Sequence, residues 1–534
     1  MKLHGIRLRR AIVRAVPWTA VLLLPGCASS WRGVRGPDQF TLPRDPSAST
    51  PLDRRLDADS AGAPAGTSGV SLLAGGEDAL YARLALTELA GRSLDIQTYI
   101  WDQDDSGRLM LSRLLAAADR GVRVRLLLDD TATFKGERVF AAFDRHPNVE
   151  VRLFNPFRTR SGETWAERAI EFLVDFPRLN RRMHNKVWVF DGTWSIIGGR
   201  NVANHYFLLD EVLNFRDLDL LAAGPAGSES SAAFDRYWNS RWTAPIAALA
   251  RSKEARLERL RARLMRFEAE QRRIPYSRQP TAEAAARALE RLLPSQVWAK
   301  AEVLVDEPEK IAGGEASVIA DRLRAESTMV EREVLVEVAY LSLGKENIEG
   351  IRSLIDRGVR VRFLTNSLAT NDVIAAHAGY IGTRKRLLDA GAEIHELRPG
   401  ARERSRFISP SSGSTSSVHS KAVIFDRRHL FVGSLNLDPR SVIHNTEMGL
   451  LVDSPEISRQ VAERIELGML PDQSWRLELR KKTVKTSTGQ VVELADVVWL
   501  GDAAGRVRTR EPRATFWRRL AATVLSWLPI EGQV

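Results

Sequence analysis

The segment HNKVWVFDGTWSIIGGRN runs from His184 to Asn201, and HSKAVIFDRRHLFVGSLN runs from His419 to Asn436. Each starts on histidine, with lysine two residues on, aspartate seven on, glycine fourteen on and asparagine seventeen on. A chain that writes this pattern twice, 235 residues apart, is constrained to a fold with two equivalent halves. Other echoes show how far the repeat extends. DRGVRVR occurs at Asp119–Arg125 and again at Asp356–Arg362. SLDIQTYIW and EVLVEVAYL, upstream of the two motifs, both read as buried strands. NFRDLDLLAAGP from Asn214 matches HNTEMGLLVDSP from His444, which places Asp217 opposite Glu447. Helix-like and strand-like stretches alternate within each half. That order predicts an α/β fold of two half-domains, each a mixed sheet flanked by helices, related by a pseudo-twofold. With 534 residues, 44% of them apolar, the chain can bury a core in each half.

The paired motifs carry the chemistry. Each reads as a strand, a turn and a second strand, so residues two apart share a face. His184 then lies beside Lys186, and His419 beside Lys421. Asp191 and Asp426 fall at the end of the first strand, where a mainly structural role is expected. Gly198, Gly199 and Gly433, with Ser434 in the fourth of these positions, let backbone approach a ligand closely. Asn201 and Asn436 follow on the loops. Two histidines can divide a displacement at phosphorus. One attacks as a neutral imidazole and forms a phosphohistidine; the other gives a proton to the departing alcohol and takes one from the next. Lysines and asparagines can hold the phosphate oxygens while charge develops. This chemistry needs no cofactor. The sequence also shows no ligand cluster with metal spacing and no GxxxxGK[ST] phosphate loop.

The ends of the chain point to a membrane. A basic stretch precedes an apolar run from Ala15 to Leu24, too short to span a bilayer. The run closes in LPGC, and Cys27 is the only cysteine. This pattern predicts a lipoprotein signal peptide over 1–26, with Cys27 as the lipidation site and a bacterial envelope protein facing the periplasm. Removing the five basic residues of that segment lowers the net charge from +11 to +6, which suits an anionic partner. A Pro-, Ser- and Gly-rich stretch predicts a flexible tether over 27–69. The first half is expected over 70–245, a charged, solvated helical insert over 246–300, and the second half over 301–505. An amphipathic tail over 506–534 could lie in a membrane interface or pack on the body. His377 and Tyr380 are candidates for the substrate mouth or for ordinary packing. The serine-rich stretch before the second motif reads as a mobile loop near the entrance.

The two HxKxxxxD motifs with their following Gly and Asn resemble the signature of the phospholipase D superfamily. Phrases such as RLNRRMHNKVWVFDG, GSLNLDPRSV and NTEMGLLVDSPE are similar to the bacterial cardiolipin synthase C group of phosphatidyltransferases. One departure is Asn204 and His205, where relatives are expected to carry an acidic pair. The resemblance implies one site, between the halves, built from His184, Lys186, Asn201, His419, Lys421 and Asn436. It implies that Asp217 orients His184 and that Glu447 orients His419. The symmetry of the motifs favours neither histidine as nucleophile; the resemblance points to His184. The implied activity is transfer of a phosphatidyl group to phosphatidylglycerol, making cardiolipin, with phosphatidylethanolamine as donor. The alternative is hydrolysis of phospholipid to phosphatidic acid. Nucleic acid is not expected as a partner.

Overall fold

The computed structural model describes residues 34–133, 136–160, 165–250, 256–271, 274, 281–292, 296–313, 317–401, 414–485, 491–501 and 506–527. The signal peptide, Cys27, residues 409–413 of the serine-rich stretch and the end of the tail beyond Trp527 lie outside the described residues. The rest of the serine-rich stretch is not a mobile loop, because Thr415–Val418 forms a strand that pairs with Leu213–Arg216 and buries Ser417 and Val418.

The first half contributes β1 (Ser68–Leu73), β2 (Ser93–Thr98), β3 (Arg123–Asp129), β4 (Val149–Phe154) and β5 (Val187–Phe190). It continues with β6 (Trp194–Gly198), β7 (Leu213–Arg216), β8 (Asp219–Ala223) and β9 (Thr243–Pro245). The second half contributes β10 (Val297–Val305), β11 (Glu333–Val338), β12 (Arg360–Asn366), β13 (Glu393–Leu397), β14 (Thr415–Val418) and β15 (Lys421–Phe425). After these come β16 (His429–Gly433), β17 (Met448–Asp453), β18 (Ser474–Lys485), β19 (Val491–Leu500) and β20 (Val507–Arg508).

Pairing follows the same path twice. In the first half it runs β1-β8-β6-β5-β2-β3-β4-β9, and in the second β10-β17-β16-β15-β11-β12-β13-β18 before β19 and β20. The central strands β2-β3-β4 and β11-β12-β13 are parallel; the rest of each path is antiparallel. β1 and β10 pair antiparallel, Ser68 to Ala299 and Val70 to Val297, and join the halves into one sheet. The seam is apolar: Val70, Leu220 and Ala222 share a core with Leu430, Leu450 and Val452.

The letter-for-letter repeat has a local cause. The helices Asp105–Asp119 and Lys345–Asp356 both stop two residues before a glycine in the left-handed region, Gly121 at φ 95° and Gly358 at φ 89°. Val-Arg-Val-Arg then opens β3 and β12, whose apolar runs are covered on both faces.

Three expectations about the remaining segments are corrected. Residues 37–59 are not a tether. Thr50 and Asp53 form a capping box that starts the helix Pro51–Asp59, and Leu52 and Leu56 bury on the first half. Upstream, Arg125 and Arg152 donate to the carbonyls of Gln39 and Pro37, and the Thr41 amide donates to Asp235. The Pro/Ser/Gly composition concealed a segment whose polar backbone is satisfied by partners on the body. The insert is helical but not wholly solvated: Leu257–Glu270 buries Leu260 and Leu264, and Ala282–Leu292 buries Ala285, Ala288 and Leu289. Its last residues belong to β10, which opens at Val297.

Candidate active site

Two short contacts between the halves build the site. β7 pairs in parallel with β14, Arg216 opposite Val418, and one residue further on each strand lie Asp217 and His419. Met183 bridges Thr446 in the same parallel sense, and one residue further on lie His184 and Glu447. These bridges explain why the histidines do not ride on the hairpin strands. His184 and Lys186 precede β5, and His419 precedes β15, because their backbones are spent across the seam: His184 N–H donates to Thr446 O at 2.9 Å and His419 N–H to Arg216 O at 2.8 Å.

The carboxylate assignment is therefore corrected. His184 Nδ1 lies 2.8 Å from Glu447 Oε2, and His419 Nδ1 lies 2.7 Å from Asp217 Oδ2. Each histidine is oriented by the other half. A carboxylate accepts only, so Nδ1 carries the proton and Nε2 keeps the lone pair. Both carboxylates are fully buried. Burial pushes Asp217 up, but the charge and hydrogen bond of His419, with Lys421 and Arg200, bring it below the usual range. Burial opposes Glu447 likewise, and His184, Lys186 and the Ser434 hydroxyl bring it down. Both therefore stay ionised at neutral pH.

Burial drives His184 to about 4, against Glu447, with Lys186 and Lys421 adding repulsion. His419 falls to about 3 through burial and Lys421. Both imidazoles are neutral at pH 7 without an added anion. Lys186 drops to about 7, mainly by burial and with repulsion from Lys421; Lys421 is lowered by burial. Each lysine donates to the carbonyl of its own motif's histidine. Two buried lysines beside the two histidines can donate to the oxygens of an anion, while the ionised Asp217 and Glu447 balance their charge.

The remaining motif residues divide between loop and frame. Asn201 accepts from Ile100 N–H at 3.1 Å and donates to the Tyr206 hydroxyl at 2.7 Å. Asn436 is 4% exposed, and its amide oxygen has no partner among the described residues. Asp191 accepts from the amides of Gly91, Arg92 and Ser93; Asp426 accepts from those of Glu331, Arg332 and Glu333. These contacts tie each hairpin turn to the start of its neighbouring strand. What Gly198 and Gly433 admit is the next strand: a Cβ there would sit 2.4 Å from Leu218 O and from Met448 O respectively. A Cβ on Gly199 would lie 2.2 Å from Asp217 Oδ1, whereas Ser434 in the matching place donates to Glu447. Asn204 donates its amide to Asp104 and accepts from Ser106, and the His205 ring packs on Tyr206 and Phe215. His377 and Tyr380 are buried in their helix, with His377 3.5 Å from Glu511, so they do not line a mouth.

Sequence reasoning missed the aromatic and ionic surround. Phe215 stacks on His419 at 4.7 Å, Tyr206 meets it edge-on at 5.0 Å, and Tyr99 meets His184 edge-on at 5.2 Å. Arg216 and Arg464 pair with buried Glu337. A signal was present: the two matched strand phrases both run into tyrosine, Tyr99 and Tyr340.

The family model described as "Cardiolipin synthase, PLD-like domain" matches residues 84–238 and 326–467, one match per half. The chain is 35% identical over 463 residues to cardiolipin synthase C of Escherichia coli (strain K12), covering 85% of this chain and 93% of that one. It is 23% identical over 419 residues to cardiolipin synthase B of the same strain, covering 76% and 84%. Among solved structures, phosphatidylserine synthase of Haemophilus influenzae Rd KW20 superposes with a TM-score of 0.52 at 13% identity, covering 78% of this chain and 90% of that one; this likeness concerns the fold alone. With both halves matched and the relative covered almost end to end, the chain belongs to the PLD-like cardiolipin synthase family.

Proposed function

We propose that the protein is a phosphatidyltransferase that makes cardiolipin from phosphatidylglycerol and a second phospholipid, with phosphatidylethanolamine as donor. The observation that carries this reading is the crossed pair of histidine–carboxylate contacts, which bind both motifs and their two lysines into one buried site. The similarity to cardiolipin synthases supports the choice of lipid.

In the proposed reaction, neutral His184 attacks the donor phosphorus through Nε2. The P–O bond to the headgroup breaks, and protonated His419 gives its proton to the leaving oxygen. His419 then takes the proton of the phosphatidylglycerol hydroxyl, whose oxygen attacks phosphorus and breaks the P–N bond. Glu447 stabilises the positive charge on His184 in the intermediate, and Asp217 stabilises protonated His419. The phosphodiester charge itself sets up the acid: an anion between Lys186 and Lys421 offsets their repulsion of His419 and raises its proton affinity. Seating a lipid alcohol in line, with water kept out, decides transfer over hydrolysis.

The test is mass spectrometry of products from vesicles of headgroup-labelled phosphatidylethanolamine and phosphatidylglycerol. Cardiolipin with released ethanolamine is expected. Phosphatidic acid as the main product, with or without phosphatidylglycerol, would reject the transferase and leave the hydrolase.

An export signal ending at Cys27 and a lipid anchor on that residue belong to the same proposal, motivated by LPGC after a short apolar run. Labelled fatty acid should enter the wild type but not Cys27→Ala. No helix among the described residues is long and apolar enough to cross a membrane.

A further inference from the structure

Two helices expose apolar faces. Trp165–Val174 buries none of its side chains; Trp165 is 80% exposed, Leu173 73% and Val174 76%. Phe516–Ser526 buries only Ala522 and leaves Phe516, Trp517, Leu520, Val524 and the following Trp527 open. Of the eleven described tryptophans, the three exposed ones, Trp165, Trp517 and Trp527, belong to these two segments. The helices come from unrelated parts of the chain, one between β4 and β5 and the other near the C-terminus.

They are nevertheless fastened at corresponding places. Asp129 ends β3 and accepts from Met183 N–H, next to His184. Asn366 ends β12 and bonds both backbone groups of Val418, next to His419. Arg168 of the first helix donates to the carbonyl of Asp130, one residue past Asp129. Arg518 of the second donates to the carbonyls of Leu368 and Asn371, just past Asn366. The chain has thus placed a helix with an open, tryptophan-bearing face beside the strand end that holds each histidine segment.

From this placement we infer that Trp165–Val174 and Phe516–Ser526 form a two-pronged docking surface for a phospholipid bilayer, one prong on each side of the active site. The inference rests on the lipid reading of that site. Tryptophan favours the bilayer interface, where its ring is buried and its N–H stays wet. Charge selects the lipid. Residues 506–519 carry six arginines and one acid, Glu511, which is paired with Arg384; Arg508, Arg510 and Arg513 are exposed beside the second helix. An anionic surface, such as one containing phosphatidylglycerol, matches that edge. Two prongs about the pseudo-twofold would seat the site facing the membrane, so that lipid headgroups need rise only a short way to reach it.

Cys27 is the only cysteine, which makes local reporters simple. In the full chain carrying Cys27→Ala, Leu173→Cys, Val524→Cys or Met329→Cys is labelled with an environment-sensitive fluorophore. Met329 is exposed at the start of the loop into β11, at the opposite end of the parallel strands, and serves as the control. Vesicles of phosphatidylethanolamine and phosphatidylglycerol should shift the emission at 173 and 524 to the blue, with quenching by brominated acyl chains and no change at 329. Equal response at all three positions, or no response at 173 from vesicle-bound protein, would overturn the inference. So would a shift that rises with protein concentration in the absence of vesicles, which would assign the faces to a second copy of the chain. These reporters read contact whatever product is formed, so a protein that inserts both helices yet releases phosphatidic acid upholds the docking surface while rejecting the transferase. In a second arm, Trp165→Ser with Leu173→Ser should lower turnover on vesicles at least tenfold and leave turnover of a monomeric short-chain phosphatidylglycerol unchanged. Equal losses on both substrates would also overturn it.

Discussion

Asp217 belongs to the first half of the chain but orients the histidine of the second, and Glu447 does the reverse. A change at either carboxylate should therefore be felt across the seam. Asp217→Asn and Glu447→Gln keep the shape but let the imidazole adopt the wrong tautomer, and each is expected to lower kcat by about 10²–10⁴-fold. The crossed assignment has its own readout. In ¹⁵N spectra Asp217→Asn should shift the ring signals of His419, and Glu447→Gln those of His184; the uncrossed result would contradict the geometry. Lys186 yields a second expectation. Burial lowers its ammonium group to about 7. It is cationic below that value and neutral above it, so its hold on a phosphodiester weakens as pH rises. Because kcat/KM reports the free enzyme, it should fall as pH rises above about 7. A flat profile from pH 6 to 9 would remove Lys186 from anion binding.

The motif aspartates act on whole elements. Asp191 and Asp426 each sit in the left-handed region at φ 50° and accept three amides from the start of the neighbouring strand. Asparagine tolerates that backbone but loses the charge that strengthens these bonds. Asp191→Asn should cost about 1.5–3 kcal/mol in urea unfolding, with kcat per folded molecule unchanged. A large loss of kcat at unchanged stability would make it part of the chemistry instead. The elements the sequence misjudged share one cause. The helix Pro51–Asp59 and the helices of the insert are short or polar, and their apolar residues are few. They are fixed by partners elsewhere, such as Arg92 on Asp53 and Trp194 on the Leu52 carbonyl, which no local pattern reveals.

The eighteen-stranded sheet that joins the halves carries one site, and that site needs both halves of the same chain. His184→Ala and His419→Ala are each expected to be inactive. A mixture of the two purified variants should stay inactive as well, because β1–β10 pairing and the shared core hold each chain's own halves together. Recovered activity in the mixture would mean that halves exchange between chains. The sequence by itself determined the duplication, the strand and helix order, and the identity of the paired His, Lys and Asn residues. Those features are written in repeat spacing and in local signals such as the glycine that stops a helix before β3 and β12. Only the tertiary structure decided which carboxylate serves which histidine. That depends on parallel contacts between segments some 200 and more residues apart: Arg216 beside Val418, and Met183 beside Thr446. The aromatic surround of His419 and the two exposed helices were decided there too. A ring's neighbour, or the lack of one, follows from where the sheet closes, and the local pattern of apolar residues is the same in either case.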